Sequence, residues 1–217
     1  MTGAYNPGLV ALSILIAIVA SYAAFNLSER VSATAGPQRW IWLTSGAIAM
    51  GAGIWSMHYV GMLAFVLPVP VLYHVPTVLL SLVAAVAGSA IALFIASKAI
   101  MRRADTATAG VCLGGAIGSM HYVGMAAMRS AAMHHYQPGL VIVSVIVAVA
   151  FSSLAASLAF RFGRSSQGFT WVKLAAASLM GTGIASMHYT AMTAAYFTVG
   201  DPPTARHTGA TSTSVGW

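Results

Sequence analysis

The 217-residue sequence predicts an all-α integral membrane protein: six transmembrane helices built as three repeated two-helix units. Three observations predict it. Hydrophobic residues make up 59% of the chain and charged residues only 6%, with a mean hydropathy of +0.82, whereas a water-soluble domain is about 25% charged. Six stretches are apolar enough to cross a hydrocarbon core about 30 Å thick, which takes about 20 residues of helix. One phrase is written three times, as Met57-His58-Tyr59, Met120-His121-Tyr122 and Met187-His188-Tyr189.

The spans are expected in order at Pro7 to Leu27, Trp40 to Leu67, Pro76 to Ser97, Ala107 to Met128, Leu140 to Phe160 and Phe169 to Phe197. Pro7, Pro76 and Pro138 stand at or just before helix starts, where a missing N–H costs little. No basic region precedes the first apolar stretch, so that stretch reads as a span and not as a cleaved signal peptide. Residues 1–200 form the membrane domain. The tail, 201–217, reads DPPTARHTGATSTSVGW, is too short and polar to span, and is expected to be disordered.

Charge sets the orientation. The ten Lys and Arg are scattered singly and form no basic stripe with interleaved aromatics, which argues against nucleic acid as a partner. The odd-to-even connections hold Arg30, Arg39, Lys98, Arg102, Arg103, Arg161, Arg164 and Lys173, and the opposite side only Arg129 and Arg206. The positive-inside rule therefore puts those connections in the cytoplasm and both termini outside. Trp40, Trp42 and Trp171 at the inner ends and Tyr73, Tyr136 and Tyr196 at the outer ends fit interfacial belts. Cys112, the lone cysteine, rules out an intramolecular disulfide and reads as a small buried apolar residue.

The three copies lie inside longer matches, GAGIWSMHYVGM, GGAIGSMHYVGM and GTGIASMHYTAM. The chain's own Met, His and Tyr frequencies predict about 0.01 chance occurrences of the tripeptide, so this is an internal repeat. His58 to His121 and His121 to His188 are 63 and 67 residues, two spans plus two loops each time. Spans 2, 4 and 6 are thus equivalent helices. Their histidines share one layer, roughly 10 to 15 Å below the outer helix ends at about 1.5 Å per residue.

Residues four apart share a helix face, which pairs His58 with Met62, His121 with Met125 and His188 with Met192. Gly51, Gly114 and Gly181, seven residues earlier, make the same stripe narrow enough for close helix contact. An ionisable group inside a membrane is a functional hypothesis by default. Imidazole with thioether, and no thiolate or carboxylate in the layer, is a soft donor set that favours copper, Cu(I) above all. The acids Glu29, Asp105 and Asp201 are expected in loops or tail, so no hydrolytic constellation forms. With no phosphate loop and no assignable nucleophile and base, an enzyme is not expected.

Met57, Met120 and Met187 point about 100° from their histidines and are secondary candidates. Tyr59, Tyr122 and Tyr189 lie on another face, either donating a hydrogen bond within the site or serving the interface. Met128, Met133, His134 and His135, beside the loop between spans 4 and 5, and His74, between spans 2 and 3, are candidates for capturing metal from outside.

Three Met-His-Tyr-(Thr/Val) copies on alternate helices resemble the MHYT domain, a bacterial integral-membrane sensor module, over residues 7–197. Val60 and Val123 replace the Thr of the third copy, which argues against the fourth position as a ligand. The resemblance implies copper held by motif Met and His residues near the outer face of the inner membrane, and sensing of oxygen, carbon monoxide or nitric oxide. Larger members carry a cytoplasmic output domain, commonly one that makes or degrades cyclic di-GMP. This chain is expected to have none and to signal through a separate protein or a homo-oligomer. Other readings are copper storage or delivery, heme held by two of the histidines, and repeats that serve helix packing alone.

Overall fold

The computed structural model describes residues 4–66, 71–98, 102–129, 132–163 and 171–199. Its helices are α1 (Pro7–Ala33), α2 (Pro37–Ala64), α3 (Val75–Ala96), α4 (Arg103–Ala126), α5 (Pro138–Gly163) and α6 (Trp171–Ala194). Each neighbour in the chain packs on the next, and α6 closes the ring against α1. Inside the ring α2, α4 and α6 meet one another.

Small residues set this layering. The odd helices bury a stripe of serine and alanine: Ser13, Ala17, Ser21 and Ala24 on α1, Ser81, Ala85, Ser89 and Ala92 on α3, and Ser144, Ala148, Ser152 and Ala155 on α5. The three stripes have one spacing. Their larger apolar residues, such as Leu15, Val83 and Ile146, point outward, as surfaces facing lipid do. Among the described residues, four helical stretches are long and apolar enough to cross a membrane: Pro7–Ala33, Pro37–Ala64, Val75–Ala96 and Pro138–Leu158. α4 and α6 are slightly longer than α3 but richer in Gly and His, because much of their surface meets other helices.

Where the sequence implied helix alone, three short antiparallel ribbons form. The strands are β1 (Ala4–Tyr5), β2 (Phe65–Val66), β3 (Leu72–Tyr73), β4 (Met128–Arg129), β5 (Ala132–Tyr136) and β6 (Ala195–Val199). They pair β1 with β2, β3 with β4 and β5 with β6. Each ribbon joins the residues entering an odd helix to those leaving an even one. The last carbonyls of a helix need donors, and Asn6, His74 and Gln137 supply their N–H groups to the carbonyls of Ala64, Ala127 and Ala194 at 2.9, 2.8 and 2.9 Å. That demand ends α2, α4 and α6 at Ala64, Ala126 and Ala194, short of the expected Leu67, Met128 and Phe197.

The opposite end carries the basic residues and corrects a second expectation. Glu29 and Asp105 are not in loops. α1 continues past Leu27 to Ala33, and Glu29 accepts a 2.6 Å ion-paired hydrogen bond from Lys173 of α6, which is 1% exposed. Arg30 lies 4.8 Å over the Trp42 ring. α4 begins at Arg103, where the Asp105 carboxylate accepts from the Arg102 N–H at 3.0 Å and from Lys98 at 2.6 Å. The connection from α1 to α2 turns at Gly36, whose φ of 63° is open to glycine at little cost. Residues 201–217, including Asp201 and Arg206, and Arg164 lie outside the described residues.

Removing the Glu29 carboxylate takes the ion-pair partner from the buried Lys173 ammonium at the seam that closes the ring. Breaking a buried pair costs about 3 to 5 kcal/mol, and the partial solvent contact of Glu29 lowers this to about 2 kcal/mol. Glu29→Gln is therefore expected to lower the thermal midpoint in detergent, read by loss of monodisperse protein on heating.

A three-histidine candidate metal centre

Helices α2, α4 and α6 each bring one motif histidine to their common axis. His58, His121 and His188 are 0% exposed. Their Nδ1 atoms form a nearly equilateral triangle, with edges of 3.2 Å between His58 and His121, 3.2 Å between His58 and His188, and 3.1 Å between His121 and His188. The rings stand edge to face, with centroids 4.9 to 5.1 Å apart.

This triangle is frustrated as a hydrogen-bond cluster. A neutral imidazole has one N–H and one lone pair. With the proton on Nδ1 of all three, three donors face each other; with it on Nε2, three lone pairs do. One Nδ1–H satisfies two edges and leaves the third as a lone-pair contact. The Nε2 atoms offer no relief, since all three are buried without a hydrogen-bond partner. Two of them press on glycine: a Cβ built on Gly61 falls 2.5 Å from Nε2 of His188, and one on Gly124 falls 2.5 Å from Nε2 of His58. Ala191 holds the corresponding place in the third repeat.

A cation at the centre removes the conflict, because it accepts three lone pairs at once. Edges of this length put the centre about 1.8 Å from each Nδ1, against a metal–imidazole bond of about 2.0 Å. An outward shift of about 0.2 Å per ring seats a first-row ion. The three histidines are also the group of His, Cys, Asp and Glu side chains, among the described residues, whose donor atoms converge within 4.8 Å. In this packing the three rings stand too close for a porphyrin to lie between any two of them.

The methionines form two layers. Met62, Met125 and Met192, one turn toward the ribbons, are buried and cluster with Met128 beneath Phe65, Tyr73 and Tyr136. Met57, Met120 and Met187 are fully buried on the other side, in the main core with Ile54, Ile117 and Ile184. Met128 therefore lies in β4 inside the protein, not in an exposed loop. Met133 and His134 lie in β5, their side chains outside the described residues. His135 is exposed and stacks on Tyr196 at 5.5 Å. His74 is exposed, its Nδ1 2.8 Å from the Thr77 hydroxyl. Cys112 is half-buried on α4 and outside the cluster, so the expectation of a buried cysteine is corrected.

The motif tyrosines stand beside the triad rather than in it. Tyr59, Tyr122 and Tyr189 each meet their own histidine ring edge-on at 4.9 Å. Their hydroxyls reach away, Tyr189 to Ser13 at 2.9 Å and Tyr122 to Ser144 at 2.8 Å, while Tyr59 faces Ser81. A second tyrosine packs on each, Tyr73 on Tyr59, Tyr136 on Tyr122 and Tyr5 on Tyr189, all at 5.6 Å. Burial, reinforced by Tyr122, pushes the Tyr136 phenol up to about 12, so it stays protonated at neutral pH.

Sequence reasoning read Tyr73 and Tyr136 as interfacial-belt residues and missed Tyr5 and the packing of all three on the motif tyrosines, although the signal was present. Tyr5, Tyr73 and Tyr136 each precede a serine, Ser13, Ser81 or Ser144, by eight residues, with a proline between. Extending the repeat backward from the histidines finds them.

A family model described as a bacterial signalling protein N terminal repeat, MHYT, matches residues 1–42, 51–109, 114–170 and 181–211. The chain is 42% identical over 200 residues to the bifunctional diguanylate cyclase/cyclic di-GMP phosphodiesterase MucR of Pseudomonas aeruginosa, covering 92% of this chain and 29% of that protein. It is 40% identical to the cyclic di-GMP phosphodiesterase NbdA of the same organism, over 98% of this chain and 27% of the relative. It is also 40% identical to the signaling protein YkoW of Bacillus subtilis, over 89% and 24%. The chain thus spans less than a third of the length of these relatives. No solved structure matches it.

Proposed function

The chain belongs to the MHYT family of bacterial signalling proteins, and from that premise we propose a six-span sensor module of the inner membrane that holds copper on the triad and responds to a diatomic gas. The observation that carries this reading is the triangle of Nδ1 atoms, a frustrated cluster that one cation resolves. Three two-helix units supply one imidazole each. The charge asymmetry supports an orientation with the ribbon end outside and the basic end in the cytoplasm.

His58, His121 and His188 bind the ion through Nδ1, and their Nε2 atoms carry the protons. The thioethers of Met62, Met125 and Met192 make the surroundings soft, which favours Cu(I) over zinc. Copper supplies affinity for oxygen, carbon monoxide or nitric oxide. The Ile54, Ile117 and Ile184 layer keeps the axis apolar toward the basic end. A shift of an imidazole reaches the outer helices through its adjoining tyrosine, since Tyr122 and Tyr189 are hydrogen-bonded to α5 and α1. Such a signal requires two packing states with different affinity for the bound form. Output passes to a partner or a second copy, and the names of MucR and NbdA point to cyclic di-GMP turnover as its destination.

Metal analysis by mass spectrometry tests the reading on detergent-purified protein from copper-grown cells. Copper is expected in the wild type and absent from a folded His58→Ala, His121→Ala, His188→Ala variant. Equal metal in both would remove the centre. For the sensor role, infrared spectra of the reduced, copper-loaded protein under carbon monoxide should gain a carbonyl band that the variant lacks.

A further inference from the structure

At the ribbon end a pocket of about 280 Å³ opens between β2 and β3, walled by Phe65, Val71 and Tyr73. Its floor includes two thioethers, Met62 and Met128. These belong to the buried cluster with Met125 and Met192, so the pocket leads into the methionine layer next to the triad. Met62, Met125 and Met192 come from matching positions on α2, α4 and α6. Met128 does not repeat: its counterparts by the same spacing are Phe65 and Ala195. The fourth sulfur thus stands on the side where the pocket opens.

We propose that Met62, Met125, Met192 and Met128 form a second, thioether-only site that takes Cu(I) from outside and hands it to the triad. This rests on the triad's being a copper centre, and it assigns the outer methionines a place in loading. The chemistry fits. Thioethers are neutral, polarizable donors that select soft monovalent ions, and among the described residues no charged side chain lines the pocket. Side chains on a helix tilt toward its N-terminus, so the sulfurs of Met62, Met125 and Met192 lean from the ribbon end toward the histidine layer. The inner methionines do not share this access, being fully buried beside the isoleucine layer.

Silver(I), a soft ion of fixed oxidation state, tests the site on the purified full chain. Bound silver is counted by mass spectrometry after desalting, and uptake is followed in time. The wild type is expected to bind two ions per chain. The triple His→Ala variant should keep one, and Met62→Leu with Met125→Leu and Met192→Leu should keep one and fill it more slowly. Leucine preserves volume and is well tolerated in place of methionine, and the single Met125→Leu variant repeats the test should the triple one fail to fold. Replacing Met57, Met120 and Met187 by leucine should leave the outer ion in place. Two ions at wild-type rate in the Met62, Met125, Met192 variant would overturn the proposal. One ion in the wild type, lost only with the histidines, would also overturn it and leave the triad standing. One ion lost only with the methionines would instead support the outer site and remove the triad.

Discussion

His121→Ala is expected to weaken Cu(I) binding more than a hundredfold, measured by competition with a chromogenic Cu(I) chelator. Replacing groups that merely support metal ligands costs about 10- to 100-fold, and His121 is placed as a ligand itself. Its loss leaves two imidazoles and opens a side of the triangle that no carboxylate or thiol among the described residues can close. Among the described residues the carboxylates are Glu29 and Asp105, both at the basic end, and Cys112 lies outside the cluster. The three edges are equal within 0.1 Å, so His58→Ala and His188→Ala should cost the same. His74→Ala should cost nothing, because that imidazole is exposed and engaged with Thr77. Wild-type affinity in all three triad variants would remove the centre. A deficit in His121→Ala alone would mean that only one of the rings ligates.

How much of this could be read beforehand differs element by element. The histidines stood out because a rare tripeptide recurs unchanged, and the 63- and 67-residue intervals put them on equivalent helices. Which nitrogen faces the axis was not legible. It depends on ring orientation, which is confined by Gly61 and Gly124 against Nε2, a contact between different helices. The Tyr5, Tyr73 and Tyr136 shell was hidden by ordinary residue types and by one extra residue between Tyr73 and Pro76. Span boundaries drawn from hydropathy stop at the first charge. α1 does not stop there, because Lys173 on a distant helix neutralises Glu29. The ribbons of two to five residues were too short to announce themselves, and backbone pairing between segments far apart in sequence makes them.

Gly114→Leu is expected to lose the fold and the metal together, while Gly115→Leu, one residue along, leaves both intact. A Cβ at Gly114 would lie 2.6 Å from the backbone N and Cα of Val149 on α5, and Gly51 and Gly181 stand likewise against Val86 on α3 and Ile18 on α1, at 2.6 to 2.7 Å. These neighbours are main chain, so no rotamer change relieves the contact and the helices must move apart. Overpacking a core costs about 1 to 3 kcal/mol, occasionally more; with four added carbons against a rigid backbone, more than about 3 kcal/mol is expected here. The displacement also carries function. His121 lies seven residues further along α4, two turns at about 3.6 residues per turn, so tilting α4 off α5 pulls one corner out of the triangle. Gly115 has nothing within 4 Å of its built Cβ, and replacing glycine inside a helix gains up to about 1 kcal/mol. Thermal midpoint and copper retention, measured side by side, decide the matter. Equal losses in both variants would mean that any bulk on α4 is harmful. No loss in Gly114→Leu would mean that the three close crossings do not set the spacing that brings the histidines together.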